Sequence, residues 1–293
     1  MLEHRFGHYC QNGKVTFSAW APRCKTLDLE LKHESSVHAM QREENGWYRL
    51  TLENLGHGDC YRFRLNGEHS RPDPAAQWFE SSVHDWNRVV DHDRFEWKIQ
   101  DWQGVSRRDL VIYELHISTF TPEGTFLSSI ERIDELVELG VTAIELLPLA
   151  QCPGRWNWGY DGVGIYAPQN TYGSPKDLKT FIDSCHSKGI AVILDVVFNH
   201  LGPEGNYLAE FAPFFTKKRK TPWGDSLNFD AKHSQYVRSF MAQCAVDWIK
   251  NYRLDGLRVE PYTSCTTTAT FPFRWKSPKP SMNLRQRSIE KST

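Results

Sequence analysis

The sequence has no apolar run long enough to span a membrane, and it has no excess of either charge: 35 Lys and Arg stand against 36 Asp and Glu in 293 residues. The near-cancellation removes the usual electrostatic signature of a nucleic-acid or membrane-surface partner, so neither is expected. The start, Met1-Leu-Glu-His-Arg-Phe, lacks the apolar core of a secretory signal. The seven cysteines (residues 10, 24, 60, 152, 185, 244 and 265) are scattered, odd in number and without metal-ligand spacing. They read as reduced thiols, which places the protein in the cytoplasm. No cofactor is expected.

What the sequence does have is tryptophan, 11 residues, many of them beside Gly, Asn and Asp rather than inside apolar runs. It also has one organising stretch, Ile190-Ala-Val-Ile-Leu-Asp-Val-Val-Phe-Asn-His200. A run apolar on both faces reads as a strand of a parallel sheet covered by helices. Asp195, Asn199 and His200 follow at its carboxyl end, where α/β folds bind ligands. The plainer reading of Asp195 and His200 is that they cap the strand and satisfy backbone donors.

Residues 1–95 read as all-β. Val15–Trp20, Thr26–Leu31, Trp47–Leu52 and Tyr61–Leu65 alternate apolar and polar, and Asn45-Gly46 and Asn66-Gly67 punctuate them. Short alternating strands at that spacing predict a β-sandwich. Residues 96–108 read as a linker. From residue 109 the pattern changes to strands near 110–117, 141–147, 190–195 and 254–259. Helices stand between them, one over 126–139 with Phe126, Ile130, Ile133 and Val137 on its inner face. A second is capped by Ser174 with Pro175 in its first turn and ends at Gly189, and a third is capped by Ser234. That order predicts a parallel sheet with right-handed crossovers. The strand-to-helix connections at 148–173 and 196–233 are long, and long loops at the carboxyl ends of strands mark the catalytic face of a (β/α)₈ barrel. Four strands make half a barrel, so the expected fold is an N-terminal β-sandwich followed by a partial TIM barrel over 109–260. Residues 261–293 show no periodicity, and carry four prolines and six Lys or Arg against one acid. They read as an aberrant or disordered tail.

Within the first long loop, Arg155-Trp-Asn-Trp-Gly-Tyr-Asp-Gly162 sets aromatics among polar residues, a composition suited to a sugar that stacks its C–H faces on rings and hydrogen-bonds through its hydroxyls. A loop pinned to the barrel rim by its aromatics is the other reading.

Asp195-Val-Val-Phe-Asn-His200 resembles the first signature of the α-amylase family of glycoside hydrolases, and Gly256-Leu-Arg-Val-Glu260 resembles its Gly-x-Arg-x-Asp signature. Tyr113-Glu-Leu-His116, Thr119–Phe126, Asn157–Gly162, Gly202–Tyr207 and Thr221–Gly224 are similar to the malto-oligosyltrehalose trehalohydrolase branch of that family. The resemblance implies a carbohydrate-binding-type sandwich and a hydrolase that cuts the α-1,4 bond next to the terminal trehalose of maltooligosyltrehalose. It implies retention of configuration through two carboxyl groups about 5–5.5 Å apart. Tyr160 then matches the aromatic under the sugar on one side of the scissile bond, and Trp158 belongs to the same substrate-binding loop. His200 matches the imidazole that hydrogen-bonds that sugar, Asp195 an aspartate that holds the site together, and Asn199 a structural amide. Arg258 matches the guanidinium beside the nucleophile, and Glu260 stands at the nucleophile position.

Two departures from the family pattern bear on activity. Glu260 is one methylene longer than the family's Asp, and the family's general acid follows a fifth strand that this sequence does not write. The 293-residue chain is therefore expected to be an inactive fragment. A glycogen-branching transferase of the same superfamily and a non-catalytic α-glucan-binding protein are the alternatives. Asp195, Asn199 and His200 are too small a set to hold a metal, and none is expected.

Overall fold

The computed structural model describes residues 4–35, 37–221 and 224–259. Glu260 and the expected tail at 261–293 lie outside them.

The first half is a sandwich of two antiparallel sheets. Its strands are β1 (Gly7–Gln11), β2 (Lys14–Trp20), β3 (Leu27–Leu31), β4 (Val37–Ala39), β5 (Gln41–Arg42), β6 (Trp47–Glu53), β7 (Cys60–Leu65), β8 (His69–Arg71) and β9 (Asn87–Arg88). One sheet runs β1-β2-β6-β5 and the other β4-β3-β7-β8, with β9 also on β7. The period-2 pattern explains β3 directly: Leu27, Leu29 and Leu31 are buried while Asp28 and Glu30 point away.

The second half carries a four-stranded parallel sheet, in the order β10 (Ile112–Leu115), β11 (Ala143–Leu146), β14 (Ala191–Val196) and β17 (Gly256–Val259). Two hairpins lie in the long connections: β12 (Ala150–Gln151) with β13 (Gly164–Pro168), and β15 (Phe215–Thr221) with β16 (Gly224–Leu227). The helices are α1 (Ile117–Phe120), α2 (Phe126–Ile130), α3 (Ile133–Glu138), α4 (Pro175–Ser187), α5 (Leu208–Phe211) and α6 (Ser234–Tyr252). None is long and apolar enough to cross a membrane.

Helix α4 begins as its sequence dictates. Ser174 accepts from the Asp177 amide, the Asp177 carboxylate accepts from the Ser174 amide, and Pro175 occupies the first turn. The expected helix over 126–139 is instead two helices with a break at Arg132, whose backbone leaves the helical region at φ −103° and ψ 2°. Arg132 lays its guanidinium over Phe120 and donates to the Phe120 carbonyl, a tertiary contact that no local periodicity records. The break also rotates the inner face: Ile133 and Leu136 are buried, whereas Val137 is exposed. Ser234 is the first residue of α6 rather than its cap. His233 holds the cap position in the left-handed region, and the Ser234 hydroxyl accepts from Arg238. Val237, Phe240, Met241, Cys244 and Trp248 are buried along α6, and Ile249 is partly buried beside them.

Sandwich and barrel segment share one continuous apolar core. Phe6 meets Phe240 edge-on at 5.1 Å, Gln243 holds both backbone groups of Phe6, and Arg71 forks onto Glu210 at 3.0 Å. The expected linker is tied down as well. The Lys98 and Ile99 amides donate to Asp183 on α4, and Trp102 donates to Asp255 just before β17.

Candidate active site

In the parallel register, Glu114 lies beside Glu145, Glu145 beside Ile193, Ile193 beside Gly256, and Asp195 beside Arg258. Residues paired in register, and residues two apart on one strand, share a face. Glu114, Glu145, Asp195 and Arg258 therefore line the same side of the sheet, and the loops that follow the strands close over its carboxyl end.

Asp195 is 2% exposed. Its Oδ2 accepts from Tyr160 Oη at 3.1 Å and from Arg258 Nη1. A carboxylate taken from water needs this compensation, and a guanidinium supplies it with charge as well as geometry. Burial, then the charge and hydrogen bond of Asp195, push the Tyr160 hydroxyl up to about 12, so Tyr160 is neutral and donates. Burial disfavours the Arg258 cation, but the hydrogen bond and charge of Asp195 outweigh it and raise its pKa.

Two loops meet over this pair. His200 is buried, places Nε2 2.9 Å from the Tyr160 carbonyl and Nδ1 2.5 Å from the Asn199 side-chain oxygen, and so fixes the backbone that carries Tyr160. Gly202 lets the loop after β14 approach the loop after β11, since a Cβ there would stand 2.2 Å from the Asp161 carbonyl oxygen. Gly159 does the same against Pro148, with a φ of +92° and a virtual Cβ 2.2 Å from the Pro148 carbonyl oxygen. His116, at the end of β10, pins the loop from a third side by donating Nε2–H to the Asn157 carbonyl at 2.8 Å.

The structure thus gathers Tyr160, Asp195, Asn199, His200 and Arg258 on one face. Trp158 lies on the rim, 68% exposed, with its ring 5.5 Å from that of His116. Among the described residues Arg258 pairs with Asp195 and also interacts with the Tyr160 hydroxyl, and Glu260, expected beside it, lies outside them. Sequence reasoning named His116 only within a motif of the resemblance, without its role as anchor of the aromatic loop, and passed over Glu145. Burial, the Asp195 charge and Glu114 raise the Glu145 pKa, while Arg258 opposes them. The signal for Glu145 was a carboxylate in the middle of an otherwise apolar strand.

Residues 93–225 match the family model described as alpha amylase, catalytic domain, and residues 5–78 match carbohydrate-binding module 48, the isoamylase N-terminal domain. The malto-oligosyltrehalose trehalohydrolase of Saccharolobus solfataricus is 44% identical over 255 residues, which are 87% of this chain and 45% of that protein. Among solved structures, a Salmonella typhimurium protein described as an alpha amylase aligns with a TM-score of 0.86 and 39% identity, over 90% of this chain and 45% of the other. The type I pullulanase of Bacillus subtilis, solved with maltose, aligns with a TM-score of 0.75 and 26% identity, over 88% of this chain and 43% of the other. The chain spans about 45% of the length of the first curated relative it matches.

Proposed function

We propose a function from the family: residues 93–225 belong to the α-amylase catalytic domains and residues 5–78 to the family 48 carbohydrate-binding modules, and the face built around Tyr160 and Asp195 binds an α-glucan. The substrate is maltooligosyltrehalose, cleaved at the α-1,4 bond next to its terminal trehalose with retention of configuration. The observation that carries this reading is the convergence of Tyr160 and Arg258 on one oxygen of the buried Asp195, with His200 holding the Tyr160 backbone. An aromatic whose hydroxyl is anchored presents a fixed ring to the apolar face of a sugar, at little conformational cost on binding. Identity to a named trehalohydrolase favours hydrolysis over branching transfer.

The retaining reaction needs one carboxylate to attack the anomeric carbon and a second carboxyl group to protonate the leaving oxygen. The resemblance puts the first at Glu260 and the second after a fifth strand. Glucan binding at the Tyr160–Asp195 face must precede both steps. The experiment is trehalose release from maltotriosyltrehalose by the purified chain, beside Glu260→Gln and with glucan binding measured in parallel. Glucan binding is the expected result, with any trehalose release abolished by Glu260→Gln. Absence of glucan binding would overturn the function.

A further inference from the structure

The loop after β12 holds two indoles that the fold does not use. Trp20, Trp47 and Trp248 are 2%, 1% and 3% exposed and fill the core, whereas Trp156 and Trp158 are each 68% exposed. The backbone that carries them is nonetheless fixed. The Asn157 carbonyl accepts from His116, the Gly159 amide donates to the Asn157 side chain at 2.5 Å, and the Tyr160 carbonyl accepts from His200. Arg155 lays its guanidinium 4.9 Å from the Trp156 ring, and the Trp158 ring meets His116 edge-on. Two large apolar rings are therefore held towards solvent on an anchored backbone, at positions two and four residues before the Tyr160 ring.

We propose that Trp156 and Trp158 continue the Tyr160 site as a ladder of stacking surfaces for successive glucosyl units of one α-glucan chain, so that the site takes an oligosaccharide several units long. The proposal rests on the α-glucan reading of the Tyr160–Asp195 face and adds the length of the ligand and the residues that measure it. Residues two apart in the chain lie about 7 Å apart at most, so neighbouring indoles can serve neighbouring sugars. Arg155, Asn157 and Asp161 interrupt the apolar surface with donors and acceptors. That alternation suits a ligand with apolar faces and a hydroxylated edge, and it breaks up the contiguous apolar patch that a protein partner would cover. The backbone restraints mean that little ordering is lost when the sugar arrives.

The test is N-bromosuccinimide oxidation of the full chain, read at each tryptophan by peptide mass spectrometry, with and without saturating maltoheptaose or maltose. Maltoheptaose is expected to slow oxidation of both Trp156 and Trp158, and maltose to leave Trp156 at its free rate. Trp156→Ala is expected to weaken maltoheptaose binding about tenfold, equivalent to about 1.4 kcal/mol, while maltose binding is unchanged. Oxidation of Trp156 at its free rate under maltoheptaose that protects Trp158 would overturn the ladder and leave the α-glucan reading standing. Exposure of both indoles while maltoheptaose binds would likewise overturn the ladder, whereas the α-glucan reading falls only if no glucan binds. Protection that grows with protein concentration in the absence of glucan would assign the indoles to contact with a second copy of the chain, and would also overturn the ladder.

Discussion

Arg258 on β17 stands directly opposite Asp195 on β14 in the parallel register and donates its Nη1 to Asp195 Oδ2. The carboxylate side chain is 1% exposed and the guanidinium side chain 41% exposed, so the pair joins a buried anion to a cation still in touch with water. Removing the cation leaves the anion in a site chosen for its charge. Arg258→Met is therefore expected to destabilise the chain by about 1–3 kcal/mol, less than the 3–5 of a fully buried pair because solvent already screens the guanidinium. Urea denaturation measures it. Asp195→Asn in the same background should recover part of the loss, and strict additivity of the two changes would contradict the coupling.

Gly159 sets how the aromatic loop sits on the barrel. Any side chain there meets the Pro148 carbonyl in a backbone conformation that L-residues rarely adopt. Gly159→Ala is expected to lift the loop and to cost about 1–3 kcal/mol of stability. Because Tyr160 is the next residue, glucan binding should fall with it. Unchanged affinity for maltoheptaose by calorimetry would show that the ring position does not depend on this approach.

A buried polar chain in the sandwich gives a pH dependence with opposed parts. The Val90 amide donates to His8 Nε2 at 2.8 Å, which leaves Nδ1–H to donate to Tyr61 Oη at 2.9 Å, and Tyr61 donates to Asp73 Oδ2 at 2.9 Å. Burial lowers His8 from 6.5 to about 4. Burial raises Asp73 from 3.8 to about 6, against hydrogen bonds from Ala75 and Tyr61. The His8 contribution is complete above 6.5 and is lost as pH falls towards 4. The Asp73 contribution is complete below 3.8 and is lost as pH rises to 6. Each slope reaches at most about 1.4 kcal/mol per pH unit, and between 4 and 6 the two oppose one another. Asp73→Asn removes one of them. Relative to the unmodified chain, its urea midpoint is expected to fall more steeply as pH drops from 6 to 4, and parallel curves would contradict the linkage.

Helix α4 tests the local sequence code. Ser174→Ala removes a cap whose reciprocal partner, Asp177, is in place, and it is expected to cost about 1 kcal/mol in urea denaturation. Asp177→Asn keeps an acceptor for the Ser174 amide and is expected to cost less.

The four parallel strands and the α4 cap were legible because each is written locally, in short runs rich in apolar residues or in a capping box. Asp195 was legible because a carboxylate ends an apolar run. The break at Arg132 was not, since its cause is the reach of one side chain to the Phe120 carbonyl. The two hairpins fall inside connections read only as long loops, and β15, Phe215–Thr221, is rich in Lys and Arg with no alternating apolar pattern. The β12–β13 pairing also joins residues as far apart as Ala150 and Pro168. His116 gave no sequence signal of its own role, because the loop it anchors begins some forty residues later and only the tertiary structure brings them together.

The central claim is that the face formed by Tyr160, Asp195 and His200 binds an α-glucan. The most direct measurement is a crystal structure of the 293-residue chain grown with maltotriose. The account predicts a glucosyl ring stacked on Tyr160, with a hydroxyl within hydrogen-bond reach of the half-exposed Arg258 guanidinium, at about 2.7–3.2 Å. Sugar bound only on the sandwich, with the Tyr160 ring bare, would contradict it.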